Sequence, residues 1–315
     1  MVGGVEPIVF EPLYMQRVWG GRELAHQYGR KLPDEAPYGE SWEVVDRETE
    51  QSVVRGGSHA GKTLHELWAK HRDEVFGPGL PESERFPILI KVLDARDDLS
   101  IQVHPPVALA DSLKGEPKTE MWYIADAASG ASLHVGLKQG VSRQDFEAAI
   151  QDGTVAEAVH SIPVQAGDSI FIPSGRLHAI GAGLLIHEIQ QNSDTTYRVF
   201  DWNRLGLDGR PRELHVEESL ASIDFEDFEP DLAAPEQQVI AECEYFRVEK
   251  LKLQPGESCG HRDPRWFSIF SVAEGEVESG GFRFKKGDFF LLPAGNGSVV
   301  AKSGSVILRT TLPAR

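Results

Sequence analysis

The chain has 315 residues, 26% of them charged and 40% hydrophobic, a composition ordinary for a soluble globular protein long enough to bury a large core and to hold two domains. Its net charge of -17 disfavours nucleic acid and anionic membranes as partners, because phosphates demand a basic surface, but leaves room for a small phosphorylated metabolite met by a few local cations. No apolar run approaches membrane-spanning length, and the N-terminus MVGGVEPIVFEPLYMQRVWGG lacks a basic start followed by an apolar core, so a cytoplasmic location is the default expectation. Cys243 and Cys259 offer neither a disulfide framework nor a metal motif.

Strand signals dominate along the chain, and a few stretches read as helix. In TLHELWAKHRDEVFG, Thr63 and Glu66 are spaced as a capping box, Leu64, Leu67, Trp68 and Val75 form one apolar face, and Gly77 is the stop. LSIQVHPP follows, with Gln102 and His104 two residues apart; on a strand that spacing points both side chains to one face. Pro106 to Leu113 predicts a short helix ending at Gly115. Glu120 opens the strand-like run TEMWYIA. SRQDFEAAIQDG, with Ser142 as N-cap and Gly153 as stop, predicts a helix paired with a second in TVAEAVHS. GDSIFIPSGRLHAI is a hydrophobic strand running into a Pro-Ser-Gly turn that ends at His178. His187 and Glu188 adjoin on a strand, so they should face opposite sides. The acidic, proline-containing stretch Ile223 to Gln238 reads as a connection, dividing a first domain over 1–235 from a second over 236–315. Short strands and Gly-rich turns fill the remainder.

Gln102, His104, Glu120 and His178 together make a four-ligand metal set. Zinc accepts imidazole nitrogen and carboxylate oxygen, and two imidazoles with one carboxylate leave room for water or substrate, which points to catalysis. His134, His160, His187 and His215 have no such support. The segment around His178 is similar to the cupin metal-binding signature G-x5-P-x-G-x2-H, at Gly167, Pro173, Gly175 and His178. The spacing returns at Gly287, Pro293 and Gly295, with Ser298 where the histidine would stand. The expectation is a mainly β fold of two cupin-type jelly-roll barrels, with helices inserted in the first, a second that has lost its metal, and one Zn2+ per chain. Arg198, in TYRVFDWNR, is a fixed cation able to hold an oxygen or a phosphate.

From about Pro12 to about His215 the chain resembles the type I phosphomannose isomerases, in their short bacterial form, through RVWGG, GESWEV, LSIQVHP, KTEMWY, PSGRLHAI and HEIQQNSDTTYRVFDWNR. The last third is only generically cupin-like, and the long helical insertion of larger members is missing. The resemblance implies a zinc-dependent interconversion of mannose 6-phosphate and fructose 6-phosphate. It gives the catalytic zinc to Gln102, His104, Glu120 and His178, in agreement with the spacing. It also implies that Arg198 is the active-site arginine, that Lys118 and Glu188 line the pocket with either serving in proton transfer, and that Ser100 and Arg204 meet the phosphate. Glu40, Trp42 and Glu43 are expected to pack beside the site. A cupin metal dioxygenase would use iron and a histidine-richer ligand set; a non-enzymatic sugar-phosphate-binding cupin would show no turnover.

Overall fold

The computed structural model describes residues 5–313. Eleven strands come from the first two-thirds of the chain: β1 (Leu13–Gly21), β2 (Tyr38–Val44), β3 (Ile88–Ala95), β4 (Ile101–Val103), β5 (Glu120–Ala127), β6 (Ser132–Leu137), β7 (Val159–Pro163), β8 (Ser169–Ile172), β9 (His178–Ile180), β10 (Leu184–Gln191) and β11 (Tyr197–Phe200). They form a six-stranded sheet in the order β1-β2-β3-β10-β5-β8 and a five-stranded sheet in the order β11-β4-β9-β6-β7. The last third supplies β12 (Val239–Glu242), β13 (Arg247–Leu253), β14 (Ser258–Gly260), β15 (Ser268–Glu274), β16 (Glu276–Ser279), β17 (Phe282–Lys285), β18 (Phe289–Leu292), β19 (Ser298–Ala301) and β20 (Ser305–Thr311). Their sheets run β12-β13-β20-β15-β18 and β14-β19-β16-β17, with every pairing antiparallel.

The second pair of sheets repeats the first strand for strand. Without β1 and β11, the order 2-3-10-5-8 and 4-9-6-7 becomes 12-13-20-15-18 and 14-19-16-17. Register agrees as well: Glu120 lies opposite Ile172 just before Pro173, and Ser268 lies opposite Leu292 just before Pro293.

The helices are short: α1 (Glu23–His26), α2 (Leu64–Lys70), α3 (Arg72–Val75), α4 (Val107–Ala110), α5 (Arg143–Asp152), α6 (Val155–Ala158) and α7 (Val216–Ser222). The expected capping box opens α2, where Glu66 N donates to Thr63 Oγ1 and Thr63 N donates back to Glu66 Oε2. The single helix expected here breaks at His71, which leaves helical backbone at φ -123° while its ring contacts both Lys62 and Glu74. Ser142 caps α5 and Gly153 ends it in the left-handed region at φ 72°, which a glycine tolerates without cost from a Cβ. The segment predicted from Pro106 condenses to the four-residue α4, followed by a turn. Two helices, α1 and α7, have no counterpart in the sequence reading.

Strand periodicity explains the packing. On β10, Leu184 and Ile186 point into a cluster with Trp122, Ile124 and Ile170 between the first two sheets, whereas Leu185 and Ile189 point outward. The outward residues join a cluster that runs from Phe10, Phe76 and Phe86 to Phe246, Phe267 and Leu308, so the last third of the chain covers the first sheet's outer face. That is why β10 is buried almost throughout. A third cluster places Phe146 and Val155 of α5 and α6 against Ile101, Val103 and Ala179. A fourth, around Phe270, Phe290 and Val299, fills the space between the last two sheets.

Candidate active site

β4, β5 and β9 bring His104, Glu120 and His178 into one buried triangle whose ligand atoms all lie within 4.8 Å of one another. His104 Nε2 is 3.7 Å from Glu120 Oε2, and His178 Nε2 is 3.6 Å from Glu120 Oε1. Both rings are oriented from behind: His104 Nδ1–H donates to the Thr195 carbonyl (2.8 Å) and His178 Nδ1–H to the Arg176 carbonyl (2.9 Å). The Nε2 lone pairs are thereby turned into the triangle, as in oriented metal-ligating imidazoles. His104 Nε2 and Glu120 Oε1 are fully buried with no hydrogen-bond partner among the described residues, a costly state for polar atoms that a cation would relieve. The donors present therefore fit a metal ion.

Protonation supports the same conclusion. Burial, with help from the nearby Lys118 ammonium, holds His104 down at about 3, and burial likewise lowers His178. Burial would raise the Glu120 carboxyl, but the Lys118 ammonium 2.8 Å away reverses that and keeps it well below the ordinary range. Two neutral imidazoles and an ionised carboxylate are the forms that bind metal.

Gln102 pairs with His178 across β4 and β9, and its amide nitrogen lies 3.3 Å from His178 Nε2. Its Oε1 accepts from Ser100 Oγ (3.2 Å); half a turn of the amide would present that oxygen to the triangle. The turn before β9 is held by Gly175, at φ 93°, whose N–H donates to the His104 carbonyl (2.9 Å), so the turn that delivers one histidine is tied to the other.

The triangle borders a cavity of about 420 Å³. Lys118 sits within, 2.8 Å from Glu120 and 3.7 Å from Glu188. Glu188 Oε2 accepts from Trp122 Nε1 (3.1 Å), and burial raises its carboxyl above the usual range. Arg198 donates from Nε to Ser100 Oγ (3.2 Å) and from Nη1 to the Glu213 carbonyl (3.0 Å). Arg204 is not brought into the lining: it holds Asp201 (2.9 Å) and the Asp98 carbonyl. His187 and Glu188 do face opposite sides, the histidine bonding Tyr28 Oη (2.8 Å) at the junction with the last third of the chain.

The cavity also holds residues that the sequence reading passed over. Lys91, only 4% exposed, lies within 4 Å of Glu40, Glu188 and Asp194 and over the Trp42 ring. A lysine inside the apolar run ILIKVLDA was the available signal. Glu40, expected only to pack, is clamped by Arg17 Nε (2.8 Å) and Nη2 (3.1 Å) and lines the wall; Glu43 turns away to Arg30. Arg212 and His215 line the wall from the loop after β11. Nothing local in GRPRELH announces that placement.

The model for the phosphomannose isomerase type I catalytic domain matches residues 8–131. Mannose-6-phosphate isomerase ManA of Bacillus subtilis is 39% identical over 305 residues, covering 93% of this chain and 94% of that one. The chain belongs to the type I phosphomannose isomerase family. A mannose-6-phosphate isomerase of Streptococcus mutans, another family member, is 36% identical over 90% of this chain. The crystal structure of the Bacillus subtilis mannose 6-phosphate isomerase superposes with a TM-score of 0.86 at 34% identity, over 97% of this chain and 99% of that one. Among the described residues the second set of sheets carries no equivalent triangle. Gly260, Ser268 and Ser298 stand where Gln102, Glu120 and His178 stand in the first set. The facing positions of Lys91 and Glu188 are taken there by Glu249 and Arg309, a buried pair at 2.7 Å with the charges exchanged.

Proposed function

We propose that the chain is a mannose-6-phosphate isomerase that interconverts mannose 6-phosphate and fructose 6-phosphate with one zinc ion held by His104, Glu120, His178 and Gln102. The observation that carries this reading is the buried His104–Glu120–His178 triangle, with unsatisfied donor atoms and its His178 edge on a cavity lined by arginine and lysine. Zinc suits two imidazoles and a carboxylate.

Moving a carbonyl between adjacent carbons transfers one proton from carbon to carbon and a second from the hydroxyl oxygen to the former carbonyl oxygen, through an enediol-like state. When bound, the metal supplies Lewis acidity to the sugar's carbonyl and hydroxyl oxygens. The remaining work falls to side chains. In this reading Glu188 carries the carbon-bound proton, which is supported by Trp122 holding one of its oxygens while the other lies between Lys91 and Lys118. Lys118, engaged by Glu120 at 2.8 Å, serves as a fixed positive charge beside the developing enediol oxygens. Arg198 offers a second such charge from the cavity wall, oriented by Ser100 and the Glu213 carbonyl.

The repeated strand order supports reading each pair of sheets as a cupin-type jelly-roll barrel, a catalytic one within 1–235 and a metal-free one within 236–315. A cytoplasmic setting accompanies the reading, since a phosphorylated sugar does not cross a bilayer unaided. A coupled assay with mannose 6-phosphate, run on purified protein alongside elemental analysis, tests the proposal. Turnover with one zinc per chain is expected. Tight binding of the sugar phosphate without turnover would instead make the chain a binding protein.

A further inference from the structure

The cations around the cavity are unequally engaged. Asp201 is the shared carboxylate of two guanidiniums, accepting from Arg204 Nε (3.0 Å) and Nη2 (2.9 Å) and from Arg212 Nε (2.7 Å) and Nη2 (2.5 Å). Arg204 uses its remaining nitrogen on the Asp98 carbonyl, away from the cavity lining. Arg212 does line the cavity, and its Nη1 has no hydrogen-bond partner among the described residues. The backbone then returns to β11, where His215 N donates to the Arg198 carbonyl (2.7 Å) and Arg198 Nη1 donates to the Glu213 carbonyl (3.0 Å). Arg198 has no carboxylate partner among the described residues, and its Nη2 is also unclaimed.

Arg204 and Arg212 thus share one carboxylate and Arg198 pairs with none among the described residues, which leaves two of the three positive charges uncompensated beside the cavity of a strongly acidic protein. A phosphate monoester carries about -1.5 to -2 at neutral pH, and planar guanidiniums match its oxygens. Burial and the Arg212 charge push the Arg198 guanidinium down, and the Asp201 carboxylate offsets this only in part, in keeping with two cations held close beside one shared anion. We propose that Arg212 grips the phosphate of the sugar substrate through its free Nη1, on the wall that Arg198 also lines, and that Arg204 is a positioning residue which acts through Asp201. The proposal rests on the isomerase reading and transfers the anchoring role from Arg204, which the family resemblance pointed to, to a loop residue that it did not.

The test uses inorganic phosphate as a competitive inhibitor of the zinc-loaded enzyme, with kcat and KM for mannose 6-phosphate measured alongside. Arg212→Ala should raise both KM and the phosphate inhibition constant about 10- to 100-fold, the loss expected of a charged hydrogen bond, while kcat changes little. Arg212→Lys should recover part of this, and Arg204→Ala should raise the two constants by less than Arg212→Ala does. Unchanged constants in Arg212→Ala, or a larger rise in Arg204→Ala, would overturn the assignment. Should the Arg212 variants fail to fold, a crystal structure of the unaltered enzyme with inorganic phosphate decides the matter: an oxygen on Arg212 Nη1 supports the proposal and a phosphate seated on Arg204 refutes it. If the unaltered protein showed no turnover yet bound phosphate by calorimetry in an Arg212-dependent way, the isomerase reading would fail and the anion site would stand.

Discussion

Glu120, in the buried triangle beside the cavity, and Arg198, on the cavity wall, should fail differently when removed. Glu120 is the carboxylate of the ligand triangle, so Glu120→Ala should lose metal and activity together. Arg198 touches Ser100 and a backbone carbonyl but none of the ligand atoms of the triangle. Arg198→Ala should therefore keep the metal and lose about two to three orders of magnitude in kcat, as when one donor to developing charge is removed; an Arg198→Ala protein that also lost its metal would end its assignment to substrate. A second residue prediction lies away from the site. Asp94 is buried, accepts a hydrogen bond from Leu24 N at the start of α1, and has its carboxyl pushed up to about 6 by burial. Unfolded, it would titrate near its ordinary value of about 3.9. Between those values the unfolded chain releases the proton that the folded chain keeps, so this residue's contribution to stability is full at low pH and is lost as pH rises toward 6. Urea midpoints across pH 4–7 should show this fall in the native protein and its absence in Asp94→Asn. The metal triangle was legible because His104 shares a strand face with Gln102, His178 closes a local turn signature, and the family resemblance joined both to Glu120. Lys91, Arg17 and Arg212 were not, because what turns a strand or loop cation into a site residue is the tertiary partner it meets.

Among the elements, β9 and β19 carry the clearest comparison. They occupy equivalent places in repeated sheets, but β9 begins with a histidine facing Gln102 and β19 with a serine facing Gly260. The second set has instead closed its interior with the Arg309–Glu249 pair, whose third guanidinium nitrogen donates to the Gly260 carbonyl (2.7 Å). One metal equivalent per chain is expected, and His178→Ala should hold none at comparable affinity. Arg309→Ala, by contrast, should leave metal content intact and destabilise the fold by up to about 3–5 kcal/mol, because it leaves the buried Glu249 carboxylate with only the longer Arg247 contact at 3.6 Å. Helices were readable where capping chemistry marks their ends, as at Thr63 with Glu66 and Ser142 with Asp145. The break at His71 was hidden because it arises from contacts with Lys62 and Glu74 rather than from a proline or glycine. α1 and α7 are too short, at four and seven residues, to display a helical period.

Over the whole molecule, the last third is joined to the first sheet through apolar surface. Phe267 meets Phe76 and Phe86 edge-on at 5.1 and 5.6 Å, and Phe289 packs on His187 at 4.9 Å. The repeated G-x5-P-x-G spacing made the duplication visible in sequence, but not which faces would meet, since that depends on the outward residues of β3, β5 and β10 acting together. Phe267→Ala should cost about 3–5 kcal/mol in global stability. Because Phe267 lies outside the cavity lining, kcat at low temperature should be nearly unchanged; a selective loss of kcat would mean that the last third takes part in catalysis. The central claim is that this fold exists to place one metal ion against an opened sugar phosphate. Its most direct test is a zinc titration of chelator-stripped enzyme with mannose 6-phosphate turnover as the readout. Activity should be absent without metal and rise linearly to a plateau at one zinc per chain. Full turnover in metal-free protein, or none at any zinc loading, would contradict the account.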